Sequence, residues 1–336
     1  MTSADGDSRP AIETDGLTKR YGSTAAVDDL SLTVEAGEIY GFLGPNGAGK
    51  STAINLLMDF ARPTDGSIRV LGRDPRADVV AVHQRVGILP DGFSVYGNRT
   101  GRDHLRLVID TKGTDDSPAA LLERVGLADA IDDAAGGYSK GMRQRLALAM
   151  ALVGDPDLLI LDEPFSGLDP HGVRTIREVV HEENDRGATV FFSSHVLGQV
   201  ELVCDRLGIL HEGRLVAEGT LEELRERASV ATELELVVDG DLERARRIAA
   251  DVDGVVDASV PAERAVAAAA QPTQRGGDRT DETLVVRLGS IDRREAVLEA
   301  VERAGIPVTW SAVDEPSIES IFVAHTDEAP TGGERR

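Results

Sequence analysis

The residues of this chain most able to do chemistry fall into four short stretches. "GPNGAGKST" contains Gly44, Pro45, Asn46, Gly47, Ala48, Gly49, Lys50, Ser51 and Thr52. "LLILDEP" ends in Asp162 and Glu163, "SSHV" carries His195, and "YSKGMRQRLALAM" opens around Ser139 and Gly141. The first stretch fits G-x-x-x-x-G-K-[ST]. In that pattern glycines let backbone N–H groups wrap phosphates, Lys50 adds one mobile positive charge on the β- and γ-phosphates, and Ser51 offers a hydroxyl to Mg²⁺. Asp162 and Glu163 follow four apolar residues, so a buried strand delivers two adjacent acids to its end. There Asp162 could complete a metal's oxygen shell while Glu163 takes the proton of an attacking water. A strand that merely ends in solvated acids is the plainer reading, and the glycine loop upstream argues against it. His195 ends the next apolar stretch, at the edge where open parallel sheets bind ligands, within reach of a γ-phosphate. Ser139 is a good helix cap, and a helix start with small residues is itself an anion site. Two phosphate-facing helix starts in one chain need a joint explanation.

These groups must be positioned by an alternation of strands and helices. From Ala11 to about residue 228, "SLTVE", "EIYGFLG", "SIRVLG", "DLLILDEP", "TVFFSSH" and "RLGILHEGRLVAEG" read as short apolar strands, with helical stretches between several of them. That order predicts an α/β domain built on a largely parallel sheet. Between about residues 91 and 155 only helices are expected, so "YSKGM" rides on a helical insertion and not on the sheet that carries the glycine loop. Residues 1–10 and 326–336 read as tails. Beyond about residue 229 the character changes. "TELELVV", "DLERARRIAADV", "GVVDASV", "ETLVVRL", "DRREAVLEAVERAG" and "IPVTWSAV" follow the order βαβ–βαβ, a ferredoxin-like pattern spanning residues 229–325. A flexible loop is expected at 261–280 and a short closing helix at "SIESIFVAH". This second domain carries no catalytic constellation, so dimerisation or regulation is its expected role.

Composition narrows the partners. The net charge is −23, the acids are dispersed, and Lys19, Lys50, Lys112 and Lys140 are the only lysines. A surface of this kind suits high salt, where screening removes self-repulsion, and it argues against a nucleic-acid partner, which needs a basic patch. Cys204 is the single cysteine, so neither an intrachain disulfide nor a cysteine metal site is expected, and its apolar neighbours suggest a buried small side chain. No apolar run reaches the length of a membrane span, and the polar, acidic start does not read as a secretory leader; a cytosolic chain is the expectation.

Taken in order, "GPNGAGKST", "YSKGMRQR", "LLILDEP", "SGLDP" and "SSH" resemble the motifs of the ATP-binding-cassette (ABC) ATPases over about residues 11–225. The resemblance implies a P-loop α/β core with a helical subdomain, ATP and Mg²⁺ as ligands, and two cassettes facing head to tail. It also implies that Ser139 and the N–H groups near Gly141 of one subunit cap the ATP held by the other's phosphate loop, which accounts for the two anion sites. By the same resemblance Tyr21 in "KRYG" stacks on adenine, Asp169 communicates across the dimer, Glu163 is the hydrolytic base and His195 the γ-phosphate sensor.

Three positions depart from the family pattern. Asp91 stands where glutamine is usual; it could approach Mg²⁺ or water but cannot donate a hydrogen bond while ionised. Lys140 replaces the first signature glycine, which implies an ordinary negative φ there. Met142 removes an amide from the signature. The stretch "GFSVYGNRTGRDHL" matches the loop that docks a membrane partner, with Phe93 and Tyr96 either as knobs or as packing for the subdomain. "SIESIFVAHT" resembles the end of ATPase subunits of drug- and polysaccharide-type exporters, while "YSKGMRQRL" and "SSHVLGQVE" are similar to the copper-processing ATPase subunit of nitrous-oxide-reductase maturation. The implied function is a homodimeric ATPase subunit that powers a separate integral-membrane permease from the cytoplasmic face, in an exporter. The alternatives are a soluble regulatory or assembly ATPase of the same fold, whose usual second cassette or long coiled coil is not seen in this sequence, and a copper-processing maturation ATPase.

Overall fold

The computed structural model describes residues 9–200, 203–227, 232–260 and 282–314. The expected tails (residues 1–8 of the first, and 326–336), the loop at 261–280 and the closing helix "SIESIFVAH" lie outside them. The chain divides into two units, one running to Leu221 and the other beginning at Glu222.

In the first unit, β1 (Ile12–Tyr21), β2 (Thr24–Val34), β3 (Ile39–Leu43), α1 (Lys50–Leu57), β4 (Asp65–Val70), α2 (Val79–Arg85) and β5 (Val86–Leu89) lead into a helical region. That region holds α3 (Gly101–Lys112), α4 (Pro118–Arg124) and α5 (Lys140–Ala151), and no strand lies between β5 and β6. Then come β6 (Leu158–Asp162), α6 (Pro170–Asp185), β7 (Thr189–Ser194), α7 (Leu197–Val200), β8 (Arg206–His211), β9 (Arg214–Gly219) and, at the division, α8 (Leu221–Arg227).

The larger sheet has the order β5–β6–β7–β3–β8–β9, parallel except at β9. Its central strands β3, β6 and β7 are buried at every position, as their unbroken apolar sequences require of strands covered on both faces. The order places the C-terminal ends of β6, β7 and β3 side by side, which is the property the site uses.

The expected placement of three strand stretches is corrected. "SLTVE" and "SIRVLG" belong not to the parallel sheet but to a second, antiparallel one of order β2–β1–β4. Its middle strand, β1, was not legible as a strand, because "IETDGLTKRY" contains a left-handed Gly16 (φ 58°) and bulges that break the two-residue alternation. "RLGILHEGRLVAEG" is not one strand but the β8–β9 hairpin, turned through Glu212 and Gly213, both at positive φ (48° and 82°), as a tight hairpin turn demands.

Helix α1 packs between the two sheets. Its Ala53, Ile54, Leu56 and Leu57 share one buried cluster with Leu30 and Val34 of the antiparallel sheet and Phe42, Ile160 and Phe191 of the parallel one. Each fully buried Leu or Ile there contributes about 1.5–3 kcal/mol, so the helix that starts at Lys50 is held against both sheets. The helical region is locally well specified. Thr100 and Asp103 form a reciprocal capping box on α3, Gly113 closes it at φ 68°, and Ser117 and Ser139 cap α4 and α5. Two charged contacts fasten it to the rest of the unit. Lys112 donates to the carbonyls of Val86 (3.1 Å) and Val153 (2.9 Å), and Arg124 reaches the fully buried carboxylate of Glu183 on α6 at 2.7 Å. Cys204 is half-buried, not fully buried as expected, and packs beneath Gly41 of β3.

The second unit contains β10 (Thr232–Val238), α9 (Leu242–Ala250), β11 (Val255–Ser259), β12 (Glu282–Leu288), α10 (Arg294–Arg303) and β13 (Val308–Asp314). The sheet is antiparallel with order β11–β12–β10–β13. Leu234, Leu236, Leu284 and Val286 alternate onto the face that meets Ala245 and Ala249 of α9 and Val297 and Val301 of α10.

Candidate functional site

The site grows from three adjacent strand ends. Leu43, the last residue of β3, runs into Gly44, and the loop returns as α1 from Lys50. The loop bends through Gly47 (φ 86°) and Gly49 (φ 111°). A Cβ on Gly44 would lie 2.4 Å from the Leu210 carbonyl oxygen, and one on Gly49 would lie 2.2 Å from that of Ala26. The loop is therefore wedged between β8 and β2 with no space for a side chain at Gly44 or Gly49. Pro45 accepts the Ala48 N–H at 3.1 Å, which rounds the loop, and Ala48 is buried.

Lys50 is 5% exposed. Its ammonium donates to the carbonyls of Gly44 (2.7 Å) and Pro45 (3.3 Å) and stands 3.4 Å from Glu163 Oε1. The other carboxylate oxygen of Glu163 lies 2.7 Å from His195 Nδ1. Lys50, Glu163 and His195 thus meet from β3, β6 and β7, although they are far apart in the chain. They line a cleft of about 350 Å³ together with Asn46, Gly47, Gly49, Ser51, Thr52 and Asp91. Its walls hold a cation, two carboxylates, three hydroxyls (Ser51, Thr52 and Ser166) and an imidazole, suited to a polyanion and an ordered water.

Asp162 lies beneath this cleft, 3% exposed. Burial raises its pKa. Hydrogen bonds from Ser193 and Ser51 oppose that rise, and the nearby charges of Asp91 and Glu163 add to it. Ser51, Asp162 and Asp91 therefore form an all-oxygen donor set, the hard kind that suits Mg²⁺. Among the described residues no cluster of three or more carboxylates, histidines or cysteines could hold an ion unaided.

Other residues predicted from sequence stand apart. Tyr21 is 56% exposed beside the turn from β1 to β2, with the Lys19 ammonium 4.9 Å from its ring centre. Ser139 and Gly141 begin α5 and do not line the cleft; the Ser139 hydroxyl accepts the Met142 N–H at 3.1 Å. Lys140 is the first helical residue of α5 and has no positive φ, so the lysine fits there without strain. Asp169 caps α6 by accepting the Gly172 N–H at 2.7 Å. Tyr96 is exposed and stacks on His104 (5.8 Å between ring centres). Phe93 lines a second, apolar groove of about 500 Å³ with Met58, Phe60, Val80, Val108 and Met150.

Sequence reasoning missed Ser193, which donates to Asp162 and accepts the Glu163 N–H at 3.0 Å. The signal was present: a serine ending the apolar run "TVFFSS" is a buried polar group and needs partners. It also missed Ser166, which lines the cleft, and Gln144, whose side-chain amide donates to the Glu163 carbonyl at 3.2 Å.

Comparison with known proteins shows the family. Residues 27–166 match the ABC transporter family model. The chain is 40% identical over 234 residues to the bacitracin transport ATP-binding protein BcrA of Enterococcus faecalis, covering 69% of this chain and 76% of that one. It is 41% identical over 220 residues to the daunorubicin/doxorubicin resistance ATP-binding protein DrrA of Streptomyces peucetius, covering 64% and 67%. Among solved structures, the ATP-binding subunit of an ABC transporter superposes with a TM-score of 0.61 at 31% identity, over 65% of this chain and 92% of that one. A dimeric ATP-binding cassette holding ADP and Pi after hydrolysis superposes at 0.57 and 22% identity, over 62% and 98%, a likeness of fold alone. With phosphate loop, paired acids and histidine assembled on one sheet edge, and with relatives of this identity and coverage, the chain belongs to the ATP-binding subunits of ABC transporters.

Proposed function

We propose that this subunit hydrolyses ATP in a composite site shared by two copies and thereby drives a separate exporter permease. The observation that carries the reading is the meeting of Lys50, Glu163 and His195 at 3.4 Å and 2.7 Å in the mouth of the glycine loop. In this reading the loop N–H groups and Lys50 bind the phosphates, and Tyr21 stacks on the base. Glu163 takes the proton of the attacking water and His195 contacts the γ-phosphate. Ser51, Asp162 and Asp91 would hold Mg²⁺, which when bound neutralises phosphate charge.

Ser139 and Gly141, exposed or half-exposed at the start of α5 and away from their own cleft, would meet the ATP of the second copy. Ser139→Ala is expected to lower turnover about tenfold while ATP binding to dilute protein stays within twofold, since one charge-assisted hydrogen bond is removed from the far side only. Steady-state hydrolysis measured across a dilution series tests the composite site itself. Specific activity should fall as the dimer dissociates, and activity per molecule that is constant down to a demonstrated monomer refutes the proposal.

The groove lined by Phe93 and its apolar neighbours, with Tyr96 nearby, is the surface offered to the permease. Among the described residues no helix is long and apolar enough to cross a membrane, so attachment at the cytoplasmic face would run through that partner. Export is supported by the relatives named for bacitracin transport and daunorubicin/doxorubicin resistance. The second unit would be an accessory module for dimerisation or regulation. The net charge of −23 leads to a further expectation: ATPase activity should rise with KCl toward the molar range, and an optimum below about 0.2 M would contradict salt adaptation.

A further inference from the structure

The backbone of Glu163 lies in the left-handed region (φ 51°), a conformation that non-glycine residues hold only where the surroundings over-determine it. Its N–H is held by Ser193 Oγ at 3.0 Å, from the neighbouring strand. Its carbonyl accepts from Gln144 Nε2 at 3.2 Å, and Gln144 belongs to α5, in the helical region. One turn earlier on the same helix, Lys140 Nζ donates to Ser166 Oγ at 3.2 Å. The Lys140 stem also lies over Gly167, where a Cβ would come within 2.6 Å of Lys140 Cδ. Positions i and i+4 of a helix share one face, so a single face of α5 seats the whole turn from Glu163 to Gly167. Ser166, at the far end of that turn, lines the cleft.

We propose that Lys140 and Gln144 are positioning residues for hydrolysis. By holding Ser166 and the Glu163 carbonyl, they make the start of α5 and the Glu163 side chain one rigid piece. The seating of Ser139 against a second copy then sets where Glu163 stands in its own cleft. This rests on the reading of Glu163 as the base and of Ser139 as the residue that faces the partner. It also gives Lys140, which stands in place of the first signature glycine, a task that glycine could not perform.

The test is steady-state hydrolysis of ATP with Mg²⁺ by the full chain. Gln144→Met keeps side-chain length and removes the donor. It should lower kcat about tenfold with KM for ATP within twofold, because Gln144 does not line the cleft. Lys140→Met should lower kcat about threefold, and Lys140→Arg, which keeps a donor, should restore it. Glu163→Gln is measured in parallel. If that variant is inactive while Gln144→Met turns over within twofold of the parent, the clamp is overturned and the base assignment survives. If Glu163→Gln retains full turnover, the base assignment falls and the clamp falls with it. Should Gln144→Met fail to fold, the exposed Lys140 pair decides: equal kcat for methionine and arginine, or a loss confined to KM, overturns the proposal.

Discussion

Replacing Glu163 with glutamine should leave a protein that binds ATP, scarcely hydrolyses it, and elutes as a dimer when ATP is present. Glutamine has the same shape, so it can occupy the space between Lys50 and His195, but it is neutral and cannot accept a proton from water. A positioned general base contributes about 10²–10⁴-fold, and turnover should fall by that order. Binding should survive, because the Gly44–Ser51 loop and Lys50 are untouched and one negative charge near the phosphates is removed. The Lys50 ammonium also keeps its bonds to the Gly44 and Pro45 carbonyls, so the loop should hold its form. Turnover within about threefold of the parent would remove Glu163 from the base role.

A second substitution, Gly49→Ala, should be as damaging for a different reason. At φ 111° an alanine is strained by about 1–3 kcal/mol. Its Cβ would also sit 2.2 Å from the Ala26 carbonyl oxygen, a backbone atom that no rotamer change can move. The loop must therefore shift against β2, and Lys50, the next residue, shifts with it. ATP affinity should drop about 100-fold or more, measured by titration with a fluorescent nucleotide. Gly47→Ala is the matched control. Gly47 is also left-handed, at φ 86°, but its Cβ would have nothing within 4 Å, so it should cost about 1–2 kcal/mol of strain without a collision. Equal affinities in the two variants would show that contact with Ala26 plays no part in shaping the loop.

Much of this site was legible before the fold was known, because its elements are local. A glycine loop between an apolar strand and a helix reads directly from "EIYGFLGPNGAGKST", and buried strands ending in "DE" and "SSH" read from their apolar runs. The antiparallel sheet was less visible. β1 contains polar residues, a left-handed glycine and bulges, so its periodicity is broken even though Ile12 and Leu17 are wholly buried. The links made by Ser193 and Gln144 to Glu163 span 30 and 19 residues. No spacing rule joins such positions, since each depends on which strand or helix lies beside β6.

The sequence by itself therefore determined the chemical inventory: a phosphate loop, a lysine, two acids, a histidine and a capped helix with its own anion-facing start. Burial and backbone geometry follow from neighbouring residues, which is why those elements could be named one at a time. Tertiary structure alone decided which of them meet. The strand order β6–β7–β3 sets Lys50 3.4 Å and His195 2.7 Å from the two carboxylate oxygens of Glu163, and the packing of α5 sets Ser139 apart from them. Strand order arises from how crossover helices bury their apolar faces across the whole domain, a non-local sum that residue spacing does not contain.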